Sequence, residues 1–174
     1  MHTSSERGFT LIELLMAVAL IGILVAIAVP NYLAARLSSS EGAAIGSLRA
    51  VDSGQYAYAA VCGSGAYAPS LAQLGAPPLV GGDGFISPGL STDPSFKTGY
   101  VITLTPGAPA TGGPASCNGV APGASVQTYF VGANPLDSGN RYFGTNAGQT
   151  IYQSLAAIVV TQTGIPPGAT PIQQ

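Results

Sequence analysis

Charge is what this chain has least of. Of its 174 residues only 7% are Asp, Glu, Lys or Arg, and five basic against seven acidic residues leave a formal net charge of -2. So small a charge creates no long-range field, which argues against a basic patch for nucleic acid or for an anionic membrane surface. Tryptophan is absent and the one histidine is His2. Beyond it the chain offers no imidazole base, no histidine metal ligand and no Ser-His pair. No glycine-rich stretch carries the lysine and the strand-to-helix setting of a phosphate loop. Asp83, Asp93 and Asp137 are scattered rather than spaced as a calcium loop. Each stands in a turn-forming context, Asp83-Gly84, Asp93-Pro94 and Asp137-Ser138-Gly139. These absences point away from an enzyme and imply no cofactor and no metal site.

What is there is apolar and unevenly spread. Hydrophobic residues make up 47% of the chain and the mean hydropathy is +0.39, densest before Pro30. The rest is rich in Gly, Pro, Ser, Thr and Ala, and 24 Gly with 14 Pro suit short strands joined by turns rather than a helical bundle. Phe9 to Val29 carries a single ionisable side chain, Glu13, and as a helix would run roughly 32 Å, enough to span a bilayer. A secretory signal peptide is the simpler alternative, but its apolar stretch is about 7 to 15 residues and ends in a cleavage site. A buried core helix is the other, and the turn-rich remainder is too polar to wrap this segment. The flanks, with Arg7 offset by Glu6 on one side and Arg36 on the other, leave topology open by charge alone.

The segment Gly8-Phe9-Thr10-Leu11-Ile12-Glu13 resembles the processing and assembly motif of the type IV pilin superfamily, which includes pilus subunits and the pseudopilins of type II secretion. The resemblance is specific over about 25 residues. It implies a leader, residues 1–8, cut after Gly8 by a prepilin peptidase, with Phe9 becoming the methylated N-terminus. It also implies that Glu13 is an assembly residue, and that Gly22 and Pro30 stand where pilins commonly interrupt their helix. The leader departs from the basic leaders of the family in being nearly uncharged. An ionised group well inside a bilayer costs roughly 2.5 to 3.5 kcal/mol, so Glu13 needs a partner. The helix dipole offers about 0.3 to 1 kcal/mol. The other partners are the Phe9 amine of the same chain, on the same helical face, or that of a neighbouring subunit, which the resemblance favours.

Pro30 predicts a local kink or break. After it Ala44, Leu48, Val51, Gln55, Tyr58 and Cys62 recur at alternating spacings of four and three. One long bent helix from Phe9 to about Cys62 is expected, its second half laying this stripe, with Ile45, on a small sheet. Gly42, Gly46 and Gly54 each weaken it by about 1 kcal/mol relative to Ala, with fraying expected near Ser38 to Gly42. A short helical turn is expected at Leu71 to Leu74. Gly99 to Gly107, Ser125 to Pro135 and Asn140 to Ser154 alternate as strands, the last folded into a hairpin at Asn146-Ala147-Gly148. Three or four antiparallel strands and a helix make an α+β fold, which is the pilin-like architecture the resemblance implies.

The expected organisation is therefore a leader over 1–8, a transmembrane and filament-core helix over 9–30, a continuing amphipathic helix over 31–62, a globular α+β head over 63–160 and a flexible tail over 161–174. Cys62 and Cys117 are the only cysteines. After export they would meet an oxidising compartment and are expected to form one disulfide, unlike pilins whose two cysteines close a C-terminal loop. The resemblance implies a structural subunit of a type IV pilus serving adhesion, motility or surface interaction, with a type II secretion pseudopilin as the alternative. The major pseudopilin of type II secretion typically carries a C-terminal acidic calcium site, whereas residues 146–164 contain no acid; Asp93 to Tyr100 nevertheless resembles the start of a pseudopilin strand. A membrane-anchored extracytoplasmic binding domain is the reading from a different class. The implied partners are identical subunits, the prepilin peptidase, an inner-membrane assembly platform with its ATPase, and the lipid bilayer before assembly. The precursor would sit in the bacterial inner membrane with a cytoplasmic N-terminus, and the product in an extracellular filament. Arg36, Arg49, Lys97 and Arg141 are the basic residues after Gly8, too few for a phosphate-binding track.

Overall fold

One helix dominates the computed structural model, which describes residues 8–137 and 140–172. α1 runs from Leu11 to Val61 without interruption, through Pro30 and through Ser38 to Gly42, where fraying is expected from the sequence. Near Pro30 the Asn31 side-chain amide donates to the Ile27 carbonyl at 3.2 Å. At the serine-glycine stretch Glu41 is clamped by Arg141, which holds the backbone where propensity alone would loosen it. The chain divides into two compact units, Met1–Ser39 and Ser40–Gln174, with the boundary inside α1. In the first unit every described residue is exposed.

The second unit is the α+β head. Following α1 are α2 (Leu71–Gly75), a 3-10 turn at Pro88–Leu90 and six strands: β1 (Ser95–Lys97), β2 (Tyr100–Pro106), β3 (Tyr129–Pro135), β4 (Tyr142–Asn146), β5 (Tyr152–Ser154) and β6 (Thr170–Pro171). They form one sheet in sequence order, with every neighbouring pair antiparallel. Two strands exceed the expected three or four. β1 pairs with β2 through the two-residue turn Thr98-Gly99, both residues at positive φ, the geometry of a tight hairpin turn; at three residues it is too short to show periodicity. β6 falls within the segment expected to be a flexible tail. Residues 161–172 fold back, Thr170 and Pro171 pair with β5, and the Ile172 amide donates to the Ile151 carbonyl at 2.8 Å. Proline-rich composition suggests mobility, but the backbone hydrogen bonds to β5 and Ile151 hold the segment. Ser138 and Gly139 of the expected Asp137 turn, and leader residues 1–7, lie outside the described residues.

The expected stripe is the buried face of α1: Ala44, Leu48, Val51, Gln55, Tyr58 and Cys62 are all buried. It meets Tyr100, Ile102, Tyr129, Val131 and Phe143 of the sheet in one core. β2 alternates as a strand with one buried face should. Gln55 is fully buried on this stripe because its carboxamide stands in for a strand: it accepts from the Ala68 amide at 2.8 Å and donates to the Ala68 carbonyl at 3.0 Å. Gly54 is a close-approach residue as well as a weak helix former. A Cβ there would come within 2.7 Å of Ile86 Cγ2 and 2.8 Å of the Phe85 carbonyl oxygen.

Candidate assembly interface

The N-terminal segment presents its motif in the open. Gly8, Phe9 and Thr10 precede the helix in non-helical, exposed backbone, with Phe9 78% exposed. Thr10 caps α1: its hydroxyl accepts from the Glu13 amide at 3.3 Å and donates to the Glu13 carboxylate at 3.5 Å. That is a variant of the capping box, three residues apart at a helix start. Glu13 therefore has a local partner that the sequence reading did not weigh. It also stands in the first turn, where the helix dipole favours a negative charge.

Further along, the helix is apolar on every side. An 18-residue window has mean hydropathy 2.8 and none of it is buried. Leu11, Ile12, Leu14, Leu15, Met16 and Leu20 are each at least 60% exposed. Gly22 lies in this run, where a Cβ would meet nothing within 4 Å, and Pro30 sits inside the helix. Unlike an amphipathic helix, this segment has no polar face to give to water. Such a surface suits contact with lipid or with other apolar helices better than contact with water.

In the head, Cys62 and Cys117 are joined as a disulfide across 55 residues. Two polar clusters there escaped the sequence reading. Glu41 and Arg141 form an ion pair, with the guanidinium bound to both carboxylate oxygens at 3.1 and 3.2 Å through Nε and to Gln153 at 2.6 Å. The Arg141 hydrogen bond holds the Glu41 carboxyl below the usual range. One turn past Leu48, Asp52 is buried at 7% exposure. Its carboxylate accepts from the Tyr129 hydroxyl at 2.9 Å and the Thr145 hydroxyl at 2.7 Å, tying α1 to β3 and β4. Burial pushes the Asp52 carboxyl up to about 6, against the lowering effect of the Thr145 and Tyr129 hydrogen bonds. Desolvation likewise raises the Tyr129 phenol, with the neighbouring Asp52 charge adding to it. An acid beside Val51 on the buried stripe was the one available signal for Asp52; nothing in the sequence pairs Glu41 with a residue 100 positions away.

The Asp52 network has a pH signature. A carboxyl whose pKa is higher folded than unfolded keeps its proton longer in the fold, so stability is greatest below the unfolded value near 3.8 and falls as pH rises to about 6. The expected loss across that window is about 2 to 3 kcal/mol. Denaturant unfolding of the full chain in detergent should show it, and Asp52→Asn should flatten the profile over that range. An equal slope in both proteins would mean that Asp52 is not the group responsible.

Comparison with known proteins adds two observations. The family described as "Prokaryotic N-terminal methylation motif" matches residues 3–29, a span that includes Gly8, Phe9, Glu13 and Gly22. The chain is also similar to the type IV major pilin protein PilA of Myxococcus xanthus (strain DK1622), with 46% identity over 53 residues. That alignment covers 30% of this chain and 24% of the relative, so the chain matches about a quarter of the pilin's length. No solved structure matches.

Proposed function

We propose that this chain, a member of the type IV pilin and pseudopilin superfamily by its N-terminal motif and its fold, is a prepilin that is cut after Gly8 and polymerised into a type IV pilus. The observation that carries the reading is the exposed apolar N-terminal stretch of α1, with one acid, Glu13, in its first turn. Such a helix is held by the bilayer as a monomer and by the helices of identical subunits after assembly. Removal of residues 1–8 leaves a new amine on Phe9, one helical turn from Glu13, and methylation keeps that amine basic. The exposed, non-helical backbone at Gly8 to Thr10 supports access by a peptidase. The similarity to a major pilin supports the pilus over the secretion pseudopilin.

In this reading the precursor lies in the bacterial inner membrane with its N-terminus in the cytoplasm. A platform and ATPase outside this chain drive its assembly, and the extracellular filament serves adhesion, motility or surface interaction. Its role is structural rather than enzymatic. Intact mass with N-terminal fragmentation of the membrane-extracted protein tests the first step. A chain beginning at N-methylated Phe9 is expected, and one that retains residues 1–8 in a cell producing filaments would overturn it. Deleting the gene should remove a surface filament; loss of exoprotein export with filaments intact would instead favour the pseudopilin.

A further inference from the structure

We propose that a groove beside Arg49 on one head receives the Leu136-Asp137 corner of a second copy of this chain, with Arg49 and Asp137 as the ion pair. The inference rests on the filament reading above.

The groove, about 710 Å³ in volume, is lined by Arg49, Asp52, Ser53, Tyr56, Gln149 and Ile151. Arg49 and Ser53 on its wall are exposed, and Tyr56 is 66% exposed. The corner is built at another part of the head. The Leu136 amide donates to the Gly99 carbonyl at 2.9 Å, which brings the chain after β3 against the β1–β2 hairpin. There Leu136 is 58% and Phe96 67% exposed, and Asp137 is exposed beside them.

Charge and shape support this occupant. Among the described residues the Glu41–Arg141 pair is the salt bridge present, so neither Arg49 nor Asp137 is neutralised within its own head. Each lies beside large apolar groups left in solvent, and Arg and Tyr are residue types enriched among interface hot spots. Asp52, at the base of the groove, is committed to the Tyr129 and Thr145 hydroxyls, which leaves Arg49 as the groove's outward charge, opposite in sign to Asp137.

Position along the helix then decides the kind of contact. Tyr100, next to the hairpin turn, donates to the Arg141 carbonyl at 2.9 Å, and Arg141 binds Glu41; the corner therefore belongs to the Glu41 level of the head. Arg49 is two turns further along α1, roughly 12 Å at 1.5 Å per residue. In copies with parallel helices the two different surfaces meet with an axial offset. Such a heterologous contact does not close on itself in a pair, and it propagates.

A charge swap tests the pair in the full chain, in cells that make the filament. Arg49→Glu and Asp137→Arg are each expected to lower the filament mass recovered by shearing at least fivefold, and the double variant to restore at least half of it. A Ser53→Cys with Leu136→Cys variant should give a ladder of cross-linked multimers. Wild-type yield from both single variants would overturn the contact while leaving the filament reading intact. Loss in the single variants without rescue in the double, and without a ladder, would overturn this pairing as well. If the unmodified protein forms no filament, the underlying reading fails and this contact falls with it.

Discussion

Glu13→Ala is expected to enter the membrane and be cut after Gly8 much as the unmodified chain is, yet to yield at least tenfold less filament. Removing a carboxylate from the apolar run makes insertion easier by roughly 2.5 to 3.5 kcal/mol, and the site of cleavage lies outside the helix. Assembly is different, because in the proposed filament Glu13 and the Phe9 amine would enter a bundle of apolar helices. Losing one partner of a buried ion pair costs about 3 to 5 kcal/mol, far beyond a tenfold effect.

The Thr10–Glu13 cap supplies a rival explanation of the same loss, and a second substitution separates them. Glu13→Gln keeps a side-chain hydrogen-bond acceptor for Thr10 and removes the charge. The bond from the Glu13 amide to Thr10 survives in both variants; if the Thr10 hydroxyl's bond to the Glu13 side chain is what matters, worth at most about 1 kcal/mol, the Gln variant assembles nearly normally. If the charge matters, Gln fails as Ala does. The second result is expected, measured as sheared filament mass against total membrane-extracted protein. Normal yield from the Ala variant would remove Glu13 from assembly altogether.

Local periodicity made part of this molecule legible. The stripe from Ala44 to Cys62 could be read because a helix resting on a sheet must repeat its apolar contacts every three or four residues, and Gln55 kept its place on it because a carboxamide can satisfy a buried backbone. Strands β2 and β3 showed their alternation or their apolar run. Asp52 did not stand out, since an acid on a helix is ordinarily a solvent-facing residue, and only the hydroxyls of Tyr129 and Thr145 make its burial tolerable. β1 and β6 are too short for a pattern, and their pairing depends on a turn and on the return of a proline-rich segment. The same limit applies to Glu41 and Arg141. At the N-terminus the opposite holds: the motif is contiguous, so its residues could be named from the sequence, whereas the Thr10 hydroxyl's part in capping depends on its side-chain geometry.

Replacing both Cys62 and Cys117 with Ser should lower the stability of the head by up to about 4 kcal/mol, the loop-closure value for residues 55 apart. Against a typical domain stability of about 5–15 kcal/mol that is a large fraction, and it corresponds to a fall in melting temperature of about 10–20 °C. The bridge joins the end of α1 to the long connection between β2 and β3, which contributes little apolar surface of its own. Other ties set the effect below its ceiling. The Asn118 side chain donates to the Gln73 and Ala76 carbonyls at 2.6 and 3.3 Å, and Ser116 both bonds Asn118 at 2.7 Å and accepts from the Val120 amide at 2.9 Å. These bonds keep residues 116–120 against α2 once the sulfurs are gone. The loss should therefore concentrate at residues 63–67 and 108–114. Hydrogen exchange there should accelerate far more than in β3 and β4, and a reductant should reproduce the effect in the unmodified protein. An unfolding midpoint unchanged by either treatment would mean that the Asn118 and Ser116 bonds anchor the connection without the disulfide.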